Sequence, residues 1–277
     1  MKKVTEDDVF DLRTGTHQRT MSEEERHFFD IAGYLVLEDL LTPDQLRQAQ
    51  RDLESLASFA PDTVKLHKGD FEVELLNVIE HGGILEDIMA MPRVLGYLQE
   101  LIWGDQYRLV ASRGTVRRPG SRRCLNQGGI ADPRRYTRYR GFREGEFRCL
   151  MVTCIVALCD AAQGDGTFCV IPASHKSNLP HPYAERNLEE IVPLRDIPLR
   201  AGSGILYCEG LSYAMKSPRT RNHGWLSYQY GPSYMLTWPG CESSSELLAR
   251  TARDAVKAHL LMPPYYHPLQ SQKGKGY

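Results

Sequence analysis

From Tyr107 to Trp238 the chain is a succession of short runs rich in β-branched and aromatic residues. They are Tyr107–Arg113, Leu150–Leu158, Thr167–Ile171, Ile191–Leu194, Gly204–Cys208, Trp225–Tyr230 and Tyr234–Trp238. Turn-forming residues punctuate them at Arg118-Pro-Gly120, Gly164-Asp-Gly166 and Ala201-Gly-Ser203. Runs this short cannot each bury two faces alone, so they must close on one another as a sandwich or barrel.

The first hundred residues read differently. Residues 1–21 are polar and without periodicity, which predicts a flexible N-terminal arm ahead of one domain spanning 22–277. Ser22-Glu-Glu-Glu25 has the spacing of a capping box and predicts a helix to about Ala32, ended by Gly33 and followed by a strand at Tyr34–Leu37. Thr42-Pro43 opens a second helix, with Leu46, Ala49, Leu53 and Leu56 at helical spacing. A third helical stretch, Leu85–Trp103, is interrupted near Pro92, and Glu246–Leu261 predicts a last helix before Pro263-Pro264. Helices followed by many strands predict an α+β chain.

Composition narrows the function classes. Lys and Arg (34) balance Asp and Glu (35), so no global field recruits nucleic acid or an acidic membrane. The N-terminus has no apolar stretch behind its lysines and no run is long enough to span a bilayer, so a cytoplasmic location is expected. The cysteines number 7, an odd count, and none forms a Cys-x-x-Cys pair; buried free thiols are the expected state.

The most distinctive stretch is Gly164-Asp-Gly-Thr-Phe-Cys-Val-Ile-Pro-Ala-Ser-His-Lys-Ser-Asn178. It resembles the signature of the phytanoyl-CoA dioxygenase family, non-haem iron and 2-oxoglutarate oxygenases. Phe28–Val36 with Leu41-Thr-Pro-Asp-Gln45, Asn77–His81, Leu98–Leu101 and Leu261–Tyr265 extend the likeness. The resemblance implies a double-stranded β-helix, a jelly-roll or cupin-like core, flanked by N-terminal and C-terminal helices.

That family holds iron with two histidines and a carboxylate, leaving positions open for 2-oxoglutarate and dioxygen. Matching its flanks to this sequence puts Asn126 at the first histidine, Gly128 at the carboxylate and Tyr213 at the second histidine. His223 falls where the family has the arginine that clamps 2-oxoglutarate, with Arg219 and Arg221 just upstream. An amide oxygen, a glycine and a phenol are a poor Fe(II) set at neutral pH. These departures predict a protein of this fold without a metal or cofactor. Iron and 2-oxoglutarate then enter only under an alternative that recruits other ligands, for which Glu209 and His223 are nearest.

In the first reading Tyr213 donates or accepts a proton and Asn126 or Gln127 hydrogen-bonds a developing oxyanion. Such a site suits cyclisation, isomerisation, dehydration or hydrolysis of a small metabolite, including a secondary-metabolite intermediate. The second reading is a non-catalytic subunit that pairs with an active relative. A homodimer is equally open. Eleven arginines against three acids between Arg113 and Arg148 read either as an anion funnel, with Arg113, Arg148 and Arg221 toward an anionic substrate, or as a solvated loop. Nucleic acid is disfavoured, because no recognition motif accompanies the basic run. His223, Trp225 and Tyr228 are further candidate substrate contacts; late-strand aromatics such as Trp225 and Trp238 equally suit the core. His175, within the signature, is expected to brace its loop rather than bind metal.

Overall fold

The computed structural model describes residues 20–102, 107–121, 124–126, 139–143, 146–183 and 185–265. Helix α1 (Glu23–Ala32) opens on the capping box read from the sequence: Ser22 accepts from the Glu25 N–H, and the Glu25 carboxylate accepts from the Ser22 N–H. The chain is already fastened just before it, since the Thr20 and Met21 N–H groups both donate to Glu100. Strand β1 (Tyr34–Leu37) follows, and helix α2 (Pro43–Ser58) starts on a second capping box, Thr42 with Gln45. Strands β2 (Lys65–Lys68) and β3 (Glu72–Leu76) form a hairpin that the charged, weakly alternating sequence did not announce. Helices α3 (Gly83–Asp87) and α4 (Pro92–Leu101) are the third helical stretch, interrupted near Pro92 as expected, because Met91 turns extended and Pro92 restarts the chain.

The β-region begins with β4 (Tyr107–Arg117), continues through the hairpin β5 (Tyr139–Arg143) and β6 (Glu146–Cys149), then β7 (Val152–Ala157) and β8 (Phe168–Ile171). Next come β9 (Arg195–Ile197), β10 (Gly204–Cys208), β11 (Ser212–Met215) and β12 (His223–Pro232). Helices α5 (Ser245–Thr251) and α6 (Ala255–Leu260) end the fold; Asp254 caps α6 and divides the expected single helix. Two expected strands are absent. Ile191–Leu194 is a turn whose Ile191 and Leu194 still plug a small apolar cluster, and beyond Pro232 the chain turns back through the Met235 N–H to Pro232 O bond. Apolar content in those runs reflects burial, not extension.

One sheet has the order β1-β10-β7-β12-β4-β3-β2 and the other β11-β8-β9, all pairs antiparallel. The Asn126 N–H donates to Tyr213 O at 2.8 Å, adding residues 124–126 beside β11. The fold is a jelly roll of two facing sheets with helices on the outside. Side chains alternate across the large sheet: Cys154, Leu206, Leu226, Tyr228 and Tyr230 face the helices, while Ile155, Ala157, Ile205, Tyr207 and Trp225 pack with Phe168 and Val170 between the sheets. Among the described residues no helix is long and apolar enough to cross a membrane. All 7 cysteines are free, most of them buried.

Candidate functional site

The alternation that builds the core also places polar groups between the sheets. Thr153 on β7, Tyr207 on β10 and Gln229 on β12 are mutual register partners or neighbours, so they share the inner face. Glu209, one residue past β10, completes the group: its carboxylate accepts a short bond from the Thr153 hydroxyl and one from Gln229 Nε2 at 3.0 Å. Tyr207 stands opposite Thr153 in the register, and its ring lies 4.8 Å from that of Tyr213. Burial, followed by the Glu209 charge, pushes the Tyr207 phenol well above its ordinary pKa.

Tyr213 lies at the edge of this cluster. Its ring is half-buried and stacks on Phe168 at 5.5 Å. The backbone bond from Asn126 sets the two residues side by side. Leu125 is buried in the outer cluster with Cys169 and Ala214, and Asn126 after it is exposed. Gln127 and Gly128 lie outside the described residues, as does most of the arginine-rich segment. Of its described members, Arg113 on β4 is half-buried with Nη1 3.4 Å from Glu74, and Arg148 on β6 is half-buried.

The other candidates sit elsewhere. Tyr228 faces the helix layer and its hydroxyl donates to Leu85 O at 2.8 Å, on the opposite side of the sheet from Tyr213. Trp225 is buried between the sheets with Met215 and Leu211. His223 begins β12, six residues from Gln229 and so about 20 Å along the strand. It is fully buried, faces Arg117 in the register, and has Asp165 at 3.9 Å; burial lowers its pKa. Arg221 is exposed and donates to Asp160 O. The structure thus joins Tyr213 to Asn126 but not to His223, Arg221 or Tyr228. Sequence reading missed Tyr207, Thr153 and Gln229 and gave Glu209 little weight. The available signal was a polar residue at every inward position near one end of β7, β10 and β12.

His175 braces its loop as expected: its Nε2 lies 3.0 Å from Asp30 O, and burial lowers its pKa to about 4 from 6.5. The unfolded chain therefore takes up a proton on this ring between pH 6.5 and about 4 while the folded one does not. Stability should fall as pH drops through that window, by about 3 kcal/mol in full. Denaturant midpoints measured from pH 7 to 4.5 are expected to decline, and His175→Asn should flatten the decline; an unchanged slope would assign it to other groups.

A family model described as phytanoyl-CoA dioxygenase (PhyH) matches residues 29–211, more than half of the chain. The chain belongs to the phytanoyl-CoA dioxygenase family. Comparison with curated proteins gives no match. Among solved structures, HygX from Streptomyces hygroscopicus with nickel and 2-oxoglutarate bound is similar at a TM-score of 0.68 and 20% identity, covering 82% of this chain and 94% of that one. The epimerase SnoN, in complex with Fe3+, alpha ketoglutarate and nogalamycin RO, is similar at 0.59 and 14%, over 80% and 90%. The alpha ketoglutarate dependent carbocyclase SnoK from nogalamycin biosynthesis gives 0.59 and 14%, over 88% and 92%. These likenesses support the double-stranded β-helix read from the signature.

They also correct the cofactor expectation. Reading the sequence as a protein that works without metal or 2-oxoglutarate is overturned, because structures of this fold hold nickel or iron together with 2-oxoglutarate. Within this chain, no three His, Cys, Asp or Glu side chains converge among the described residues. Glu209 is committed to Thr153 and Gln229, and His223 stands at the far end of β12. The described side chains do not by themselves make a facial triad.

Proposed function

We propose that this chain is an enzyme acting on a small, polar molecule at the mouth of the barrel, with Tyr213 exchanging a proton with it. The observation that carries the reading is the polar cluster itself. Tyr207, Thr153, Glu209 and Gln229 are gathered in a position where apolar packing would be as stable or more so, and the cluster leads to a half-buried phenol at the opening. Asn126 beside Tyr213, and Gln127 after it, are the groups to hydrogen-bond an oxygen that gains charge. Arg113 and Arg148, half-buried cations of the basic segment, favour an anionic or carboxylated molecule.

The company the fold keeps supports the same substrate class. One HygX structure has hygromycin B bound, and SnoN is in complex with nogalamycin RO. Iron and 2-oxoglutarate, carried by those structures, are the co-ligands to supply first. Anaerobic titration of the protein with both, followed by the visible charge-transfer band of an iron–oxoacid chelate, reads their uptake. Turnover of a panel of hydroxylated metabolites is then measured with the co-ligands present. Tyr213→Phe is expected to lower kcat by about 10²–10⁴-fold with an unchanged unfolding midpoint. A Phe variant as active as the parent would remove Tyr213 from the chemistry.

A further inference from the structure

β12 is the middle strand of the seven, yet Ser227, on its inner face, is half-buried rather than covered. Its neighbours on that face are large: Trp225 and Gln229 along the strand, Arg113 opposite it on β4 and Ile155 opposite it on β7. A serine ringed by long side chains is the floor of a hollow. Three of those four neighbours carry a buried polar atom with no hydrogen-bond partner among the described residues, namely Arg113 Nε, Trp225 Nε1 and Gln229 Oε1. Trp225 is 2% exposed, so its N–H has no route to bulk water. Arg113 reaches Glu74 through Nη1 at 3.4 Å, which leaves the Nε edge of its guanidinium for another acceptor. Groups of this kind are costly to bury unmet.

We propose that this hollow is a binding site for a carboxylate, received by Arg113 Nε–H, Trp225 Nε1–H and the Ser227 hydroxyl. The inference rests on the reading of a molecule entering at the barrel mouth and deepens it by locating an acid group bound there. A guanidinium and an indole N–H can only donate, so what they lack is an acceptor, and the charge of Arg113 selects an anion. A carboxylate presents two coplanar oxygens, the shape that the edge of a guanidinium matches. Ile155 and Trp225 belong to the apolar cluster between the sheets, which suits the short carbon chain behind a carboxylate better than a phosphate. Gln229 stands on the side of the mouth, and its bond to Glu209 through Nε2 fixes Oε1 as the remaining acceptor. Ser227 lies two residues, about 7 Å, deeper than Gln229. The cation of this site comes from β4. Position 223 on β12, where the family's clamp would stand, is a histidine and lies about 14 Å further along the strand.

The chain has 3 tryptophans, so ¹H–¹⁵N spectra contain few indole N–H signals, and Trp225→Phe identifies the one from position 225. Titrating the full chain with glutarate, 2-oxoglutarate or 4-hydroxybutyrate up to ~50 mM, a range that captures weak binding, should move that signal saturably. Dimethyl glutarate, which is uncharged, and inorganic phosphate should not move it. Tightest binding of 2-oxoglutarate supports the site as the place of the co-ligand that the structural relatives carry. Tightest binding of 4-hydroxybutyrate supports it as the place of the substrate's own acid end, with the hydroxyl donating to Gln229. Arg113→Met should weaken binding about 10–100-fold, and Arg113→Lys, which keeps the charge without the Nε–H, should restore part of it. Ser227→Leu fills the hollow and should abolish the response with Arg113 in place, should the methionine variant fail to fold. No saturable response to any of the three acids overturns the proposal, because water would then satisfy the donors. An equal response to the ester or to phosphate, or one that survives Arg113→Met or Ser227→Leu unchanged, overturns it too. The signal is read without turnover. Binding here in a protein that turns nothing over sinks the functional reading alone, and Tyr213-dependent turnover without binding here sinks this site alone.

Discussion

Arg117→Met is expected to destabilise the protein by about 3–5 kcal/mol, the range for removing one member of a buried ionic group. Arg117 has no solvent exposure. Its Nε donates to Glu72 at 3.0 Å, and its Nη1 donates to the Met215 and Lys216 carbonyls at 2.9 and 2.8 Å. Methionine fills much of the same volume, so the cost is electrostatic rather than a cavity. It leaves a carboxylate short of its cation and two carbonyls short of a donor. Those carbonyls belong to the end of β11, the strand that presents Tyr213 two residues earlier, so the guanidinium is what ties the small sheet to β4. Adding Glu72→Gln to the methionine variant should restore part of the loss by removing the stranded charge. Denaturant titrations of the two single variants and the double variant measure it. A loss below about 1 kcal/mol would mean that water satisfies all three groups.

How much of this was legible beforehand depended on where the determining physics lay. The capping box at Ser22 and the helix start at Thr42-Pro43 are local chemistry, and both appear where the sequence put them. The strand runs came through wherever β-branched residues were buried on both faces, as in β7 and β10. Ile191–Leu194 failed because an apolar run records burial, and a turn can be buried too. The hairpin of β2 and β3 was invisible because its charged side chains pair with partners on β4, such as Arg113 and Arg117, which no local pattern encodes. Tyr213 and Asn126 were found through a family resemblance and do meet. The polar cluster of Thr153, Tyr207, Glu209 and Gln229 was not found, since it depends on which residues of β7, β10 and β12 face each other across register. The cofactor expectation failed for a different reason. It inferred an absence from residue identity at aligned positions, and part of that alignment, Gln127 and Gly128, falls outside the described residues.

Gly166→Ala is the other change expected to have a large effect, and the turn Gly164-Asp-Gly166 contains its own control. Both glycines have a left-handed backbone, with φ of +71° at Gly164 and +64° at Gly166, which costs a non-glycine residue about 1 kcal/mol. At Gly164 an added methyl would meet only the far end of the Arg219 side chain, at 3.0 Å, which is flexible and can move. At Gly166 the methyl would lie 2.5 Å from His223 Cε1 and nearer still to Nδ1. His223 is fully buried with Asp165 at 3.9 Å, and the Gly166 N–H is fixed to Ser217 O, so neither side can yield. Gly164→Ala should therefore cost about 1 kcal/mol and Gly166→Ala about 3 kcal/mol or more, overpacking added to backbone strain. The cause can be isolated by His223→Ala, which empties the space the methyl needs. If ring contact is responsible, Gly166→Ala is far less costly in the His223→Ala background than in the parent, and the double variant is more stable than the sum of the singles implies. Strict additivity would place the strain in the backbone alone, and the fixed approach of the turn to His223 would then not be what selects glycine there.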